Sequence, residues 1–195
     1  MPALHSRRAF LGYGAALAAL AARPASARAP AVAPPALAIV DETIAGAAEF
    51  AAVAERRGVR VLRIAGDVGA VWMNHVEPSW RTGRARLAGL TRTGALFCLE
   101  LLARDYGFAV ERRARHMPAP HGDCAHAAVG CDAAYAARAL AAAGPRWATA
   151  AALLALTPAA APAAGALELV EPAALQATAA GPVYSWTIGP RARPA

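Results

Sequence analysis

Apolar residues recur along this chain with two periods. Leu37-Ala38-Ile39-Val40 is a continuous apolar run closed by Asp41. A short run of this kind predicts a strand buried on both faces. From Ile44 to Arg57 the apolar positions fall at Ile44, Ala47, Ala51 and Ala54, with Phe50 and Val53 beside them, and Gly58 follows. That spacing predicts a helix over 44–57 with a glycine stop. Val59 to Ile64 is again rich in Val, Leu and Ile, and Gly66-Asp67 closes it. Strand, helix and strand within about 30 residues predict a βαβ unit with parallel strands at 37–41 and 59–65.

Further along, Leu96, Leu99, Leu102, Ala103 and Tyr106 form a helical stripe that stops at Gly107. Phe97 and Leu101 widen the stripe, so the helix over 94–106 is expected to be well buried. Thr91 and Thr93 are its candidate N-caps, with Gly94 in the first turn. Phe108 to Arg112 resumes as a third strand. Between these units, Val68 to Leu90 reads as a short helix and a long polar connection. His116 to Cys131, rich in His, Pro, Gly and Cys, reads as a loop. Asp132 is placed to cap a helix running to Ala143, and Pro145 to start another that ends before Pro158. Residues 157–180 form an irregular Ala/Pro-rich segment with one strand-like piece at 167–170. Tyr184, Trp186 and Ile188 alternate along 183–188, which predicts a closing antiparallel edge strand. The fold class expected is α/β: one domain over 36–190, a three-layer sandwich around a small, mainly parallel sheet.

Composition changes this picture little. The hydrophobic fraction is 57% of 195 residues, enough for a core, although alanine supplies much of it. The formal net charge is +7, and all 20 basic residues are arginines. They are spread along the chain in small clusters, Arg81/Arg84/Arg86 and Arg112/Arg113/Arg115, as on a solvated surface. No nucleic-acid partner is expected.

The first 27 residues stand apart. Ser6-Arg7-Arg8-Ala9-Phe10-Leu11 is followed by small apolar residues from Gly12 to Ala22, then Arg23-Pro24, then Ala25-Ser26-Ala27. The apolar stretch is shorter than the roughly 20 residues a bilayer span requires. The segment resembles the twin-arginine (Tat) signal peptide: paired arginines, a spacer with Phe-Leu, a modest apolar core and a small-x-small cleavage site. The resemblance implies export of a folded chain by the Tat translocase, cleavage after Ala27 and a periplasmic location. It also implies passengers that often fold around a cofactor, without identifying one. Cleavage would remove three arginines and no carboxylate, leaving a formal charge of +4. Residues 28–35 are then a disordered Ala/Pro linker, and no membrane span is expected in the mature chain. The mature region is similar to small twin-arginine-exported proteins of proteobacteria, a resemblance that carries no activity with it.

Three groups of residues carry candidate chemistry. Parallel sheets bind ligands at the carboxyl ends of their strands, which here supply Asp41 and Asp67. The turn Gly89-Leu90-Thr91-Arg92-Thr93-Gly94 opens the strongest helix, where free N–H groups favour an anion. It resembles the glycine/threonine turns of periplasmic solute-binding proteins. A ligand site of Asp67, His75, Thr91, Arg92, Thr93 and Gly94 is therefore expected at the carboxyl edge, for a small anionic ligand. Second, Asp67 and His75, with Glu77, are the residues available for acid–base chemistry. Third, the stretch holding His116, His121, Asp123, Cys124, His126 and Cys131 has three readings. Cys124 and Cys131 form a disulfide in an oxidising compartment, or His121, Cys124, His126 and Cys131 hold zinc or copper, or the stretch does neither. Cys98, on the long helix, reads as an inert thiol. The chain contains no Gly-x-Ser-x-Gly, His-Glu-x-x-His, Cys-x-x-Cys, P-loop or dinucleotide fingerprint. The leading expectation is thus a non-enzymatic periplasmic protein that binds a small anion or assists a redox partner. The alternatives are a small enzyme using Asp67 and His75, and a metal-binding protein using the His116–Cys131 stretch.

Overall fold

The computed structural model describes residues 32–83, 85–118, 124–130, 132–158, 168–170 and 181–191. The expected export segment lies outside them. The chain is mixed α/β. In sequence order it forms β1 (Leu37–Asp41), α1 (Ala47–Arg56), β2 (Arg60–Ile64) and a short helix α2 (Gly69–Val71), which passes through a π-helical turn (Trp72–Val76) into α3 (Glu77–Thr82). Then come β3 (Leu87–Arg92), α4 (Thr93–Asp105), β4 (Phe108–Pro118), β5 (Cys124–Gly130) and α5 (Ala133–Ala143). A 3-10 turn (Gly144–Arg146) leads into α6 (Trp147–Leu156), followed by β6 (Glu168–Val170) and β7 (Val183–Pro190).

One seven-stranded sheet runs in the order β2-β1-β3-β7-β4-β5-β6. β1 and β2 are parallel, with Leu37 opposite Arg60 and Asp41 opposite Ile64, as the βαβ pattern predicts. The sheet as a whole is not mainly parallel. Only β1 with β2 and β1 with β3 run parallel; the other four pairings are antiparallel. The strand at 108–112, expected to extend the parallel set, instead runs to Pro118 antiparallel to β7. The third parallel strand is β3, in a stretch that reads as connection and helix cap. β7 is antiparallel as expected, but it lies in the middle of the sheet, between β3 and β4, rather than at an edge.

Gly89 explains why β3 is hard to see in the sequence. It sits in a strand, Leu87–Arg92, that holds no aromatic residue and a single β-branched one, Thr91, so the usual marks of a strand are missing. A Cβ at this position would sit 2.3 Å from the Trp186 ring and 2.7 Å from the Ile39 carbonyl oxygen. The glycine is there so that the indole of the neighbouring strand can lie flat across β3.

Alternate residues of β1 feed two apolar clusters. Ala38 and Val40 pack with Phe50 of α1, Leu140 of α5 and the apolar residues of α6. Leu37 and Ile39 pack with Trp72, Trp80, Leu96, Leu99, Phe108 and Trp186. In the second cluster Trp80 stacks on Phe108 at 4.1 Å, and its indole N–H donates to the Ala85 carbonyl (2.8 Å). The stretch Ala133–Leu156 is apolar and long enough to cross a bilayer by length and composition, but it is bent into α5 and α6, and both helices pack in the first cluster. α4 is less covered than its sequence predicts: Leu96, Leu99 and Ala103 are buried, while Phe97, Cys98 and Leu101 are exposed. Residues 32–35 precede β1, and the end of the expected linker is tied down. Ala36 donates its N–H to the Arg86 carbonyl, and the Arg86 guanidinium donates to the Ala33 carbonyl.

Candidate metal centre

Of the stretch expected as a loop from His116 to Cys131, the described residues lie on two paired antiparallel strands. Along β4 and β5 the ladder sets His116 opposite His126 and Pro118 opposite Cys124. Side chains two apart share a face of a strand. Cys124, His126 and Ala128 therefore line up opposite His116 and Ala114, on the face that packs against α5 and α6. His116 is fully buried and His126 nearly so. The Nδ1 atoms of the two imidazoles face each other at 2.8 Å. His116 Nε2 lies 2.8 Å from Ser185 Oγ of β7. Trp147, at the start of α6, covers both rings at centroid distances of 4.7 and 6.0 Å. One ligand atom from each of His116, Cys124 and His126 falls within a group no wider than 4.8 Å.

Burial sets the protonation of all three groups. It holds His116 well below the usual imidazole range, and the neighbouring His126 adds to the effect. Burial also brings His126 down to about 4 and pushes the Cys124 thiol up to about 12. At neutral pH both imidazoles are uncharged. One Nδ1 must carry the proton and the other the lone pair for the 2.8 Å contact to be a hydrogen bond. Two neutral imidazoles and a sulfur form a donor set of the kind that binds zinc or copper rather than magnesium or calcium, which take oxygen. Tetrahedral zinc, with Zn–N of about 2.0–2.1 Å, holds two nitrogens about 3.3 Å apart. A ring rotation that separates the nitrogens by about half an ångström would thus make room for an ion. Nδ1 ligation would leave His116 Nε2 protonated and donating to Ser185 Oγ, the outer hydrogen bond that normally orients a ligating histidine.

Of the expected metal ligands, Cys124 and His126 come together, and His116 joins them. His121, Asp123 and Cys131 lie outside the described residues. The expected pairing of Cys124 with Cys131, in a disulfide or in one metal site, therefore involves a residue outside the described ones. The signal for this face was in the sequence as the period-two spacing of Cys124, His126 and Ala128. Ser185 and Trp147, which complete the surroundings, gave none.

The other expected sites are dispersed or already committed. Asp67 is exposed and accepts the Gly69 N–H at 2.9 Å, so it opens the turn into α2. His75 is half-buried in the π-helical turn. Glu77 accepts from the Tyr106 hydroxyl (2.8 Å) and from Arg81 (2.7 Å), which together hold its carboxyl below the usual range. Thr91 is not a cap: it is fully buried in β3, and its hydroxyl accepts the Trp186 indole N–H at 2.9 Å. Arg92 precedes the first turn of α4 and donates to Thr43 Oγ1 and to the Thr43 carbonyl, both at 3.4 Å. Thr93 and Gly94 start α4, exposed and without a side-chain cap.

At the end of β1, fully buried Asp41 accepts from the Thr43 N–H (3.0 Å) and hydroxyl (2.7 Å) through Oδ1. Its Oδ2 is buried without a hydrogen-bond partner among the described residues. Comparison with protein-family models, with curated protein sequences and with solved structures finds no match to this chain, so its chemistry is read from the geometry alone.

Proposed function

We propose that the chain is exported by the twin-arginine route and acts in the periplasm as a metal-binding protein, with zinc or copper held by His116, Cys124 and His126. The carrying observation is the buried pair of Nδ1 atoms at 2.8 Å with the Cys124 sulfur in the same group. Three protein ligands leave a further coordination position, and copper there would join the centre to the expected redox-accessory role. The same reading takes the architecture as three layers, supported by the two clusters that alternate residues of β1 feed. The full chain, expressed in a bacterium with a twin-arginine translocase, tests both halves. Periplasmic material should begin at Arg28 and carry about one zinc or copper per chain. Cys124→Ser, which keeps both imidazoles, should weaken metal affinity tenfold or more. Arg7→Lys with Arg8→Lys should hold the precursor in the cytoplasm. A wild-type protein that takes up neither ion refutes the centre; export of the double-lysine variant refutes the route.

One observation favours a second reading, a small-ligand site at the carboxyl edge of β1 and β3. In the order β2-β1-β3, the helix after β1 packs in one apolar cluster and the helices leading to β3 in the other. Ligand crevices form where connections part in this way. Among the described residues, Asp41 Oδ2 lacks a donor there, and the first N–H groups of α4 lack acceptors from a capping side chain. A ligand with both a hydroxyl and an anionic group meets both needs. Titration with glycerol 3-phosphate should move the Thr93 and Gly94 amide resonances, and Asp41→Asn should weaken the effect. Amides that stay fixed at millimolar ligand remove this reading.

A further inference from the structure

A cleft of about 240 Å³ lies between the outer half of α4 and the first residues of β4. Its floor is apolar, formed by Ala109, Val110 and Val129, and its walls are charged. Two of those charges are carboxylates, and both are satisfied. Glu100 accepts from Arg113 at 3.2 Å, and Glu111 is held by Arg86 through two guanidinium nitrogens at 2.9–3.1 Å. The remaining cations, Arg104 and Arg191, line the same cleft and have no carboxylate partner among the described residues. Arg104 stands in the last turn of α4. Arg191 follows β7, and its backbone N–H is fixed on the Gly107 carbonyl at 2.9 Å. The two guanidiniums are thus presented from two fixed pieces of backbone over one apolar floor.

We propose that this cleft binds a small organic dicarboxylate. A guanidinium pairs with a carboxylate through two parallel N–H···O bonds, and two uncommitted guanidiniums call for two carboxylates. The apolar floor takes the carbon chain between them, which inorganic phosphate does not offer. The volume is below the roughly 300 Å³ at which drug-sized ligands begin to fit, so the ligand is a short one. Arg113 and Val129 are odd-numbered residues of β4 and β5, on the face opposite His116 and His126. The cleft and the proposed metal centre therefore stand or fall separately.

Calorimetric titration of the processed protein with succinate, acetate and inorganic phosphate tests the assignment. Succinate should bind saturably and at least about tenfold more tightly than acetate or phosphate. Arg104→Gln and Arg191→Gln, both at exposed positions, should each weaken succinate binding about tenfold or more. Arg138→Gln, on the exposed side of α5, should leave it unchanged. Absence of saturable succinate binding, succinate affinity unchanged from the unsubstituted protein in either glutamine variant, or phosphate binding as tight as succinate would each overturn the proposal.

Discussion

Asp132→Ala is expected to destabilise the protein by about 3–5 kcal/mol, because it strands a guanidinium in the interior. Arg112 leaves β4 on the side of α5 and α6, and only 5% of its side chain is exposed. Its Nε donates to Asp132 Oδ1 at 3.0 Å and its Nη2 to Oδ2, a two-pronged pair at the start of α5. Nη1 donates to the carbonyls of Leu154 and, at 3.1 Å, Thr157, at the end of α6. One side chain thus ties β4 to the beginning of one helix and the end of another. Breaking a buried pair is much more damaging than never having had it, since the surviving charge keeps its desolvation penalty. Arg112→Met combined with Asp132→Leu should accordingly recover most of the loss. Urea unfolding of the single and double variants measures both effects. A loss under about 1 kcal/mol for Asp132→Ala would show that the guanidinium finds water or another partner.

Acid should weaken the metal-free protein well above the pH at which carboxylates protonate. His126 titrates near 4 when folded and near 6.5 when unfolded. Above about pH 6.5 it is neutral in both states and contributes no pH dependence. As pH falls below that value the unfolded chain takes up a proton that the folded one refuses, so stability drops until about pH 4. From His126 alone the loss between pH 8 and pH 5 is about 2 kcal/mol, growing to about 3 kcal/mol near pH 4. His116, held down by the same burial, acts with the same sign. Cys124 stays a thiol throughout this range, and the lowered carboxyl of Glu77 contributes only below its ordinary value of 4.5. Urea midpoints measured at pH 8 and pH 5 on protein stripped with a chelator test this, with His116→Gln/His126→Gln as the pH-insensitive control. Equal stability at the two pH values in the wild-type protein would mean that the rings are hydrated when folded.

The parts of the fold legible in the sequence are those whose pattern has a local cause. Leu37 to Val40 is apolar because both faces of β1 are covered, and Phe50 and Val53 fall on one side of α1 because a single face is. β3 is not legible because its defining residue, Gly89, answers to Trp186, nearly a hundred positions away. Thr91 looks like a helix cap for the same reason: nothing nearby announces that its hydroxyl serves the Trp186 indole. Along β4, three arginines and a histidine obscure the continuation of the strand past Glu111, although Arg112 and His116 point inward to partners supplied by α5, α6, β5 and β7. The donor types of the proposed metal centre were visible in the sequence, but its membership was not. Whether His116 meets His126 depends on the register of two strands, and a slip of one residue would turn one ring to the opposite face.

The position of β7 has a consequence for how the chain comes to be folded. Six strands emerge from the ribosome before it, and they fall into two groups, β2-β1-β3 and β4-β5-β6, that share no ladder until β7 is inserted between them. Until then β3 and β4 each present a bare edge of N–H and C=O groups, the template on which strands from other chains add. Residues 183–190 also bring Trp186, which fills the space over Gly89, and Ser185, which meets His116. Synthesis from the N-terminus therefore cannot complete this sheet in stages; the pairings of β3 with β7 join residues about 90–100 positions apart and wait for the last described strand. Pairing of residues 183–190 thus closes two edges at once, and a chain that lacks this strand would keep both open to strands of other molecules.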